Sequence, residues 1–467
     1  MFIHSLVKSA EDFIGRSIEG AVITVPTFFT EAQKEALEKA ANNAGVRVLQ
    51  LLDEAAAAAV TTTSDLWGAE LHHDRTQLVV DLGHSSLSLS LLSIRSGLAF
   101  VLASSSTSSI GSHQIDDKLI TFFATDFTKK TKSPLSVCSS TSSVDQRAEA
   151  KLRLAIEHTK RTISASPGAA TCSIESLKDG LDYTGSINRM RFDMVARSVY
   201  AAVSDATTAL LESAAFDPHH VDEIVYVGGS TCLPGLDEQL CVHGGFREDV
   251  DTPFARGTVV GGGVGDPTTV LARGCAVQAA LIAALPKDKA HQELRRAYSR
   301  EGSKNNDVKA TSRTVGILIP GVVEGADKEL GGIWVPVVHK ETALPARRSL
   351  RFDVELSAES KRRLAFEVWE VSESIRVEKI VPPKVEDDEE EEEMEVKHRV
   401  VKKETYLGLL EAEALLAIQV KGKGKDAGKW TTTVDIQFII HATAALKVDL
   451  KEVGSDGATS SLTVAAA

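Results

Sequence analysis

The sequence has little cysteine and few aromatic rings. Its five cysteines (Cys138, Cys172, Cys232, Cys241, Cys275) are an odd number with no CxxC pair. That argues against a disulfide framework or a zinc ribbon and makes a reducing compartment the expectation. No stretch approaches the roughly 18 uninterrupted apolar residues a membrane span needs. The opening residues Met1–Ala10 lack the basic region and long apolar run of a secretory signal. Aromatics are 5% of 467 residues, against 43% hydrophobic and 25% charged. Such a chain is ordinary globular rather than fibrous or wholly disordered, with length for about two to four domains.

The net charge of −13 is concentrated. Glu386 through Glu393 are all acidic, and Glu395 follows; removing these nine from 65 acids leaves 56 against 52 bases, a net of −4. The protein is near-neutral with one acidic block, which disfavours direct nucleic-acid binding by the surface as a whole. The block itself is a solvated loop or an electrostatic contact for a basic partner segment.

Residues 21–25 (Ala-Val-Ile-Thr-Val), stopped by Pro26, read as a buried strand. Thr30-Glu-Ala-Gln33 fits a capping box opening a helix that Gly45 closes. An apolar segment (46–52) and an alanine-rich helix from Asp53 follow. Strands are expected at 77–83, 86–91 and 97–103, with Ser/Thr-rich loops at 104–109 and 136–143. Helical spacing marks Ile115, Leu119, Phe122 and Phe123, then 145–164, 193–215 and 268–285, with a strand at 223–227. Strands and helices alternate to about residue 285, an α/β pattern. After a polar tail and linker (291–313), only strand-like segments remain: 314–319, 333–338, 349–356, 364–371, 414–420, 431–440 and 444–450. These read as a β-domain spanning 314–453, interrupted by an acidic insertion at 384–399 and followed by a disordered tail, 454–467.

Three constellations carry chemistry. Val80-Asp81-Leu82-Gly83-His84-Ser85-Ser86 places a carboxylate at a strand end before a small-residue turn. This arrangement holds water or magnesium beneath a phosphate, or is a plain hairpin. Glu157, Lys160, Arg161 and Ser164 lie at offsets 0, 3, 4 and 7, on one helical face. They form either a solvated stripe or a polar shelf for ribose and purine. Val227-Gly228-Gly229-Ser230-Thr231 follows a strand, where glycines allow a ligand close to the backbone. Gly261-Gly262-Gly263 lacks the Gly-Lys-Ser/Thr ending of a phosphate loop and reads as a flexible loop. No His/Cys/Asp cluster has metal-ligand spacing and no nucleophile motif occurs, so no catalytic residue and no metal ligand is assigned.

Taken in order, these segments resemble the DnaK-type heat-shock chaperone family over about residues 10–450. Ala21–Phe29 with Glu31-Ala-Gln33 resembles its signature strand–turn–helix, and Leu52-Asp53-Glu54-Ala55 its Asn-Glu-Pro-Thr stretch. Asp81-Leu-Gly83 is similar to its second phosphate loop. Glu157, Lys160, Arg161 and Ser164 match its adenosine-contacting helix, Val227-Gly-Gly-Ser230 its adenosine loop, and Gly274–Ala280 its closing helix. The resemblance implies an α/β actin-like (ribonuclease-H-type) ATPase domain, partial, over residues 1–290. A β-sandwich substrate-binding-like domain follows it. ATP would bind through Gly83, Ser86, Glu157, Lys160, Arg161, Ser164, Gly228, Gly229 and Ser230, with Glu54 and Asp81 a vestigial phosphate and magnesium region.

The departures carry equal weight. Where the family reads Asp-Leu-Gly-Gly-Gly-Thr-Phe-Asp, this chain reads Asp81-Leu-Gly-His-Ser-Ser-Leu-Ser88. Cys232 replaces the arginine that stacks on adenine, and Gly111-Ser-His-Gln114 replaces Gly-Gly-Glu-Asp. The family's first phosphate loop, part of its first lobe and its helical lid are expected to be missing, and its apolar linker has no counterpart in Asn305–Thr311. Hydrolysis needs water and magnesium placed between two loops, so the resemblance implies an ATP-binding, non-hydrolysing chaperone-like protein. Among family branches it resembles the fungal ribosome-associated-complex subunit that partners a J-domain protein, zuotin. That branch implies a cytoplasmic, ribosome-associated location through the J-domain partner, indirect action on a second active chaperone, and no direct nucleic-acid or membrane contact. The alternatives are an active ATP-dependent peptide-binding chaperone and, more distantly, a small-molecule kinase on the same fold.

Overall fold

The computed structural model describes residues 2–64, 73–166, 168–257, 259, 263, 265–289, 291–298, 308–320, 330–356, 362–380, 394–419 and 429–466. The chain divides into two compact units, 1–306 and 307–467.

The first unit runs α1 (Phe2–Ile14), β1 (Ala21–Val25), α2 (Glu31–Asn43), β2 (Val48–Asp53), α3 (Glu54–Thr63), β3 (Asp74–Leu82), β4 (Leu87–Arg95), β5 (Leu98–Thr107), α4 (His113–Thr131), α5 (Ser143–Ala165), β6 (Ala169–Lys178), β7 (Leu181–Asn188), α6 (Arg189–Ser213), β8 (Glu223–Val227), α7 (Pro234–His243), α8 (Val270–Ala284) and α9 (Gln292–Ala297). One sheet has the order β5-β4-β3-β8, with β3 and β8 parallel; β1 pairs β2 in parallel, and β6 pairs β7. The expected capping box is present: Thr30 N–H donates to Gln33 Oε1 at 2.8 Å and Gln33 N–H to Thr30 Oγ1 at 3.3 Å. Small residues let α3 and α8 nearly touch. A Cβ on Gly274 would lie 1.9 Å from the Ala57 carbonyl, and Thr61 Oγ1 donates to Val270 O at 2.6 Å. Helix α5 buries Ala148, Leu152, Ile156, Thr159 and Ile163. That leaves the opposite face, with Glu157 and Arg161, to solvent.

The second unit holds β9 (Thr314–Pro320), β10 (Gly332–Val338), β11 (Ala346–Leu356), β12 (Arg363–Ile380), β13 (Met394–Glu413), β14 (Ile418–Gln419), β15 (Trp430–Ile440), β16 (Leu446–Glu452) and β17 (Thr459–Val464). Sheets ordered β10-β9-β12-β13 and β11-β15-β16-β17, with β14 on β15, share one core of Ile317, Phe366, Val368, Leu410, Ile436, Phe438 and Val448. That is a β-sandwich.

Several expectations need correction. Only Ser108 and Ser109 of the expected 104–109 loop lie outside strand: β5 continues through Thr107, pairing Ser104 with Ser90 and Thr107 with Leu87. Hydroxyl side chains suit an edge strand whose outer face is wet. The tail is ordered as β17 on β16, and Leu462 packs over Gly408. The expected strand at 414–420 is confined to Ile418–Gln419. Buried Glu452 takes the Leu415 and Leu416 amides at 2.8 and 2.9 Å, so those groups serve a loop instead of a ladder. Within the expected insertion, Met394–Arg399 is strand, the start of β13; residues 381–393 lie outside the described ones, as do Gly261 and Gly262. Helix α1 and the β6–β7 hairpin were not anticipated. All five cysteines are free thiols.

Candidate nucleotide site

Parallel pairing sets Asp81 opposite Val227. The C-terminal ends of β3 and β8 therefore carry Asp81-Leu82-Gly83 and Gly228-Gly229-Ser230 side by side, the edge of an α/β sheet where ligands bind. Gly228 has φ +92°, and a Cβ there would lie 3.0 Å from the Leu82 carbonyl and 3.4 Å from Asp81 Oδ1. Only glycine combines this backbone with that approach. Its N–H donates to Pro267 O at 3.0 Å, and Thr231 Oγ1 donates to its carbonyl at 2.7 Å, which fixes the turn. Glu54 opens α3. Burial pushes its carboxyl up, and neighbouring Asp53 adds to the shift. Asp81 is pushed up to about 7, by burial first and then by the Glu54 charge. Each of these acids is thus faced by another acid.

The Gly83–Ser86 turn joins β3 to β4 as a hairpin whose Gly83 N–H donates to Ser86 O at 2.9 Å. Ser112 N–H donates to Gly83 O (3.1 Å) and His113 N–H to His84 O (2.9 Å), tying the turn to the start of α4.

On α5, Lys160 Nζ sits 2.7 Å from Asp116 Oδ1 and 2.9 Å from Glu157 Oε2, while Arg161 Nε is 3.2 Å from Glu157 Oε1. Burial alone would lower Lys160, but Asp116 and Glu157 outweigh it and hold the ammonium above its usual range. Burial likewise opposes the charge on Glu157, yet Lys160 and Arg161 keep it below the usual carboxylate range. Ser164 Oγ donates to Arg161 O on its own helix at 3.0 Å.

The structure therefore gathers Glu54, Asp81, Gly83, Ser86, Gly228, Gly229 and Ser230 around two strand ends. It links Glu157 and Lys160 to that turn through α4. Arg161 is 79% exposed and contributes to the shelf through Glu157. Asp116 was missed by sequence reasoning; it lies 44 positions from Lys160, and no local pattern marks a contact made only by folding. Cys232 is half-buried, its thiol pushed up to about 11 by burial and then by Asp266. Among the described residues, no group of three or more His, Cys, Asp or Glu side chains could hold a metal ion, and no helix is long and apolar enough to cross a membrane. The residues fit a nucleotide's sugar and base through α5 and the Gly228 turn. Magnesium fits here only as a cation carried by phosphates, facing Asp81 and Glu54.

Comparison with known proteins identifies relatives over most of the chain. A family model described as Hsp70 protein matches residues 1–291. A heat shock protein 70 homolog of Schizosaccharomyces pombe is 30% identical over 446 residues, covering 91% of this chain and 70% of its own length. The ribosome-associated complex subunit SSZ1 of Saccharomyces cerevisiae is 28% identical over 461 residues, covering 98% of this chain and 76% of its own length. A heat shock 70 kDa protein of Emericella nidulans is 30% identical over 352 residues, and the match spans 48% of that protein. The chain belongs to the Hsp70 family, with an actin-like ATPase fold followed by a sheet-rich domain.

Proposed function

We propose that this protein is an ATP-binding, non-hydrolysing chaperone-like subunit that acts with a J-domain protein at the ribosome, in the cytoplasm. The observation that carries the reading is the contrast within the site. The adenosine side is built and charge-balanced on α5, whereas the phosphate turn spends its Gly83 amide internally and fills with His84 and Ser85. Glu157, Lys160, Arg161 and Ser164 would hold ribose and purine, and Gly228 to Ser230 would let the nucleotide lie against the backbone. Gly83 and Ser86 would border the phosphates. When bound, ATP with magnesium supplies charge and shape for a stable complex. Burial raises both Asp81 and Glu54, with the Glu54 charge adding to the first and the Asp53 charge to the second, so this end of the sheet disfavours further negative charge unless a cation accompanies it.

The partnership is supported by the match to the yeast ribosome-associated complex subunit across nearly the whole chain. The test is to purify the full chain, measure ATP binding by calorimetry and turnover by phosphate release, and co-purify it with J-domain proteins on ribosomes. Binding without turnover, with a J-domain protein recovered, is the expected result. Turnover at rates typical of active Hsp70 proteins, with nucleotide-dependent peptide affinity, would instead establish the active peptide-binding chaperone.

A further inference from the structure

We propose that Asp116 is a positioning residue of the nucleotide site. It holds the Lys160 ammonium beside Glu157, which assigns that charge to a ribose hydroxyl and withholds it from the phosphates, so the site selects for an intact ribose. This rests on the nucleotide-binding reading above and adds to it a specificity determinant supplied by α4.

Both ends of the contact are fixed by the core. Asp116 N–H donates to Ser112 O at 3.1 Å, and its neighbour Ile115 is fully buried, as are Leu119 and Ile120 on the same helix. The start of α4 is tied in turn to the β3–β4 hairpin by Ser112 N–H to Gly83 O and His113 N–H to His84 O. Lys160 follows buried Thr159 on α5, whose Leu152, Ile156 and Ile163 pack in the same core. Lys160 Nζ and Asp116 Oδ1 are 2.7 Å apart, and the two side chains are only 16% and 14% exposed, so solvent screens this pair weakly. The other Asp116 oxygen lies 3.8 Å from His84 Nδ1, beyond hydrogen-bond distance, which leaves Lys160 as the closer partner.

The chemistry of the ammonium follows from its neighbours. It carries three N–H donors and no acceptor. One direction is taken by Asp116 and a second by Glu157 Oε2 at 2.9 Å. Burial opposes the charge, yet the two carboxylates hold the ammonium above its usual range. A phosphate brought to the third donor would set three anions around one cation. A hydroxyl fits instead: its oxygen accepts from Lys160 while its O–H donates to a carboxylate. Glu157 is half exposed and able to accept it, whereas Asp116 is largely covered. Lys160 and Glu157 therefore present a donor and an acceptor side by side, the complement of a sugar hydroxyl. Without Asp116, Lys160 keeps only its exposed partner one helical turn away and is released toward any phosphate within reach.

The test titrates the full chain calorimetrically with ATP, ADP, 2′-deoxy-ADP and 3′-deoxy-ADP. Wild type, Asp116→Asn and Asp116→Glu are compared, each checked for folding by circular dichroism. In wild type, loss of one of the two hydroxyls should weaken ADP binding about tenfold, the size of a hydrogen bond to a charged group. In Asp116→Asn that discrimination should fall to about twofold while the preference for ATP over ADP rises about threefold, the range of one solvated ion pair. Asp116→Glu moves the carboxylate by one methylene and should give an intermediate discrimination. A purely structural role would weaken all four ligands alike, and that result in a folded variant overturns the inference. So does a full wild-type discrimination in every folded variant. Wild type that binds ADP and both deoxy forms equally overturns it as well, while leaving nucleotide binding intact. Folded wild type that binds none of the four rejects the nucleotide reading, and the inference with it.

Discussion

Strands β3 and β8 carry charge at both ends, and the two ends are built oppositely. At the start of the strands, fully buried Glu223 accepts from Arg75 Nε at 3.0 Å, Gln77 Nε2 at 2.8 Å and Arg256 Nη2 at 3.0 Å. Arg256 is in turn held by Asp251, and Arg75 donates to the Thr62 carbonyl at 3.1 Å. Every charge there has an opposite beside it. At the far end, Asp81 is faced by Glu54, and both are held toward their neutral forms. One end is a closed clamp between strand and loops. The other stores unfavourable charge, the arrangement expected where a ligand rather than the protein supplies the balance.

That contrast can be broken from either side. The largest effect belongs to the clamp. Glu223→Ala leaves two buried guanidinium groups facing each other and should cost about 3–5 kcal/mol in urea unfolding. The far end should behave in the opposite sense. Because Asp81 is raised from 3.8 to about 7 in the fold, its neutral form stabilises the native state. That contribution is complete below about pH 4 and is lost as pH rises toward 7. Asp81→Asn should therefore match wild type in acid and exceed it by roughly 2–4 kcal/mol above neutrality, read as a difference in denaturant midpoint across pH. The smallest effect is at Gly228. Alanine there meets the Leu82 carbonyl in a left-handed conformation and should cost about 1–2 kcal/mol in thermal unfolding, while abolishing ATP binding.

Much of this was legible because local physics coincides with the fold. The strand expected at 223–227 is β8 with the same limits, and the capping box at Thr30 opens α2 as read. That Glu157, Lys160, Arg161 and Ser164 share one face of α5 was readable because 3.6-residue periodicity alone places them there. What was not legible depends on partners far away in sequence. Met394–Arg399 looked like the end of an acidic insertion, but it pairs with Ile375–Ile380 as strand. Ser104–Thr107 looked like a loop until β4 supplied its hydrogen bonds. Leu415 and Leu416 looked like strand, yet a buried carboxylate claimed their amides. At the site, Gly83 and Gly228 were visible as turn residues, whereas the role of Asp116 exists only because α4 and α5 meet.

The β12–β13 ribbon has a mechanical consequence. Only Glu367–Val371 of β12 pairs with β9, so among the described strands Ser372–Ile380 has β13 as its ladder partner. At 3.3 Å per residue, this two-stranded arm extends about 30 Å past the sheet's last shared support. That is roughly three screening lengths at physiological salt. Charges at the far end of the described arm, such as those of Glu378 and Lys379, are thus electrostatically uncoupled from the sandwich core. Charge can be added to or removed from that segment without altering the stability of the domain that carries it, which lets the arm vary as a probe of its surroundings while the scaffold stays constant.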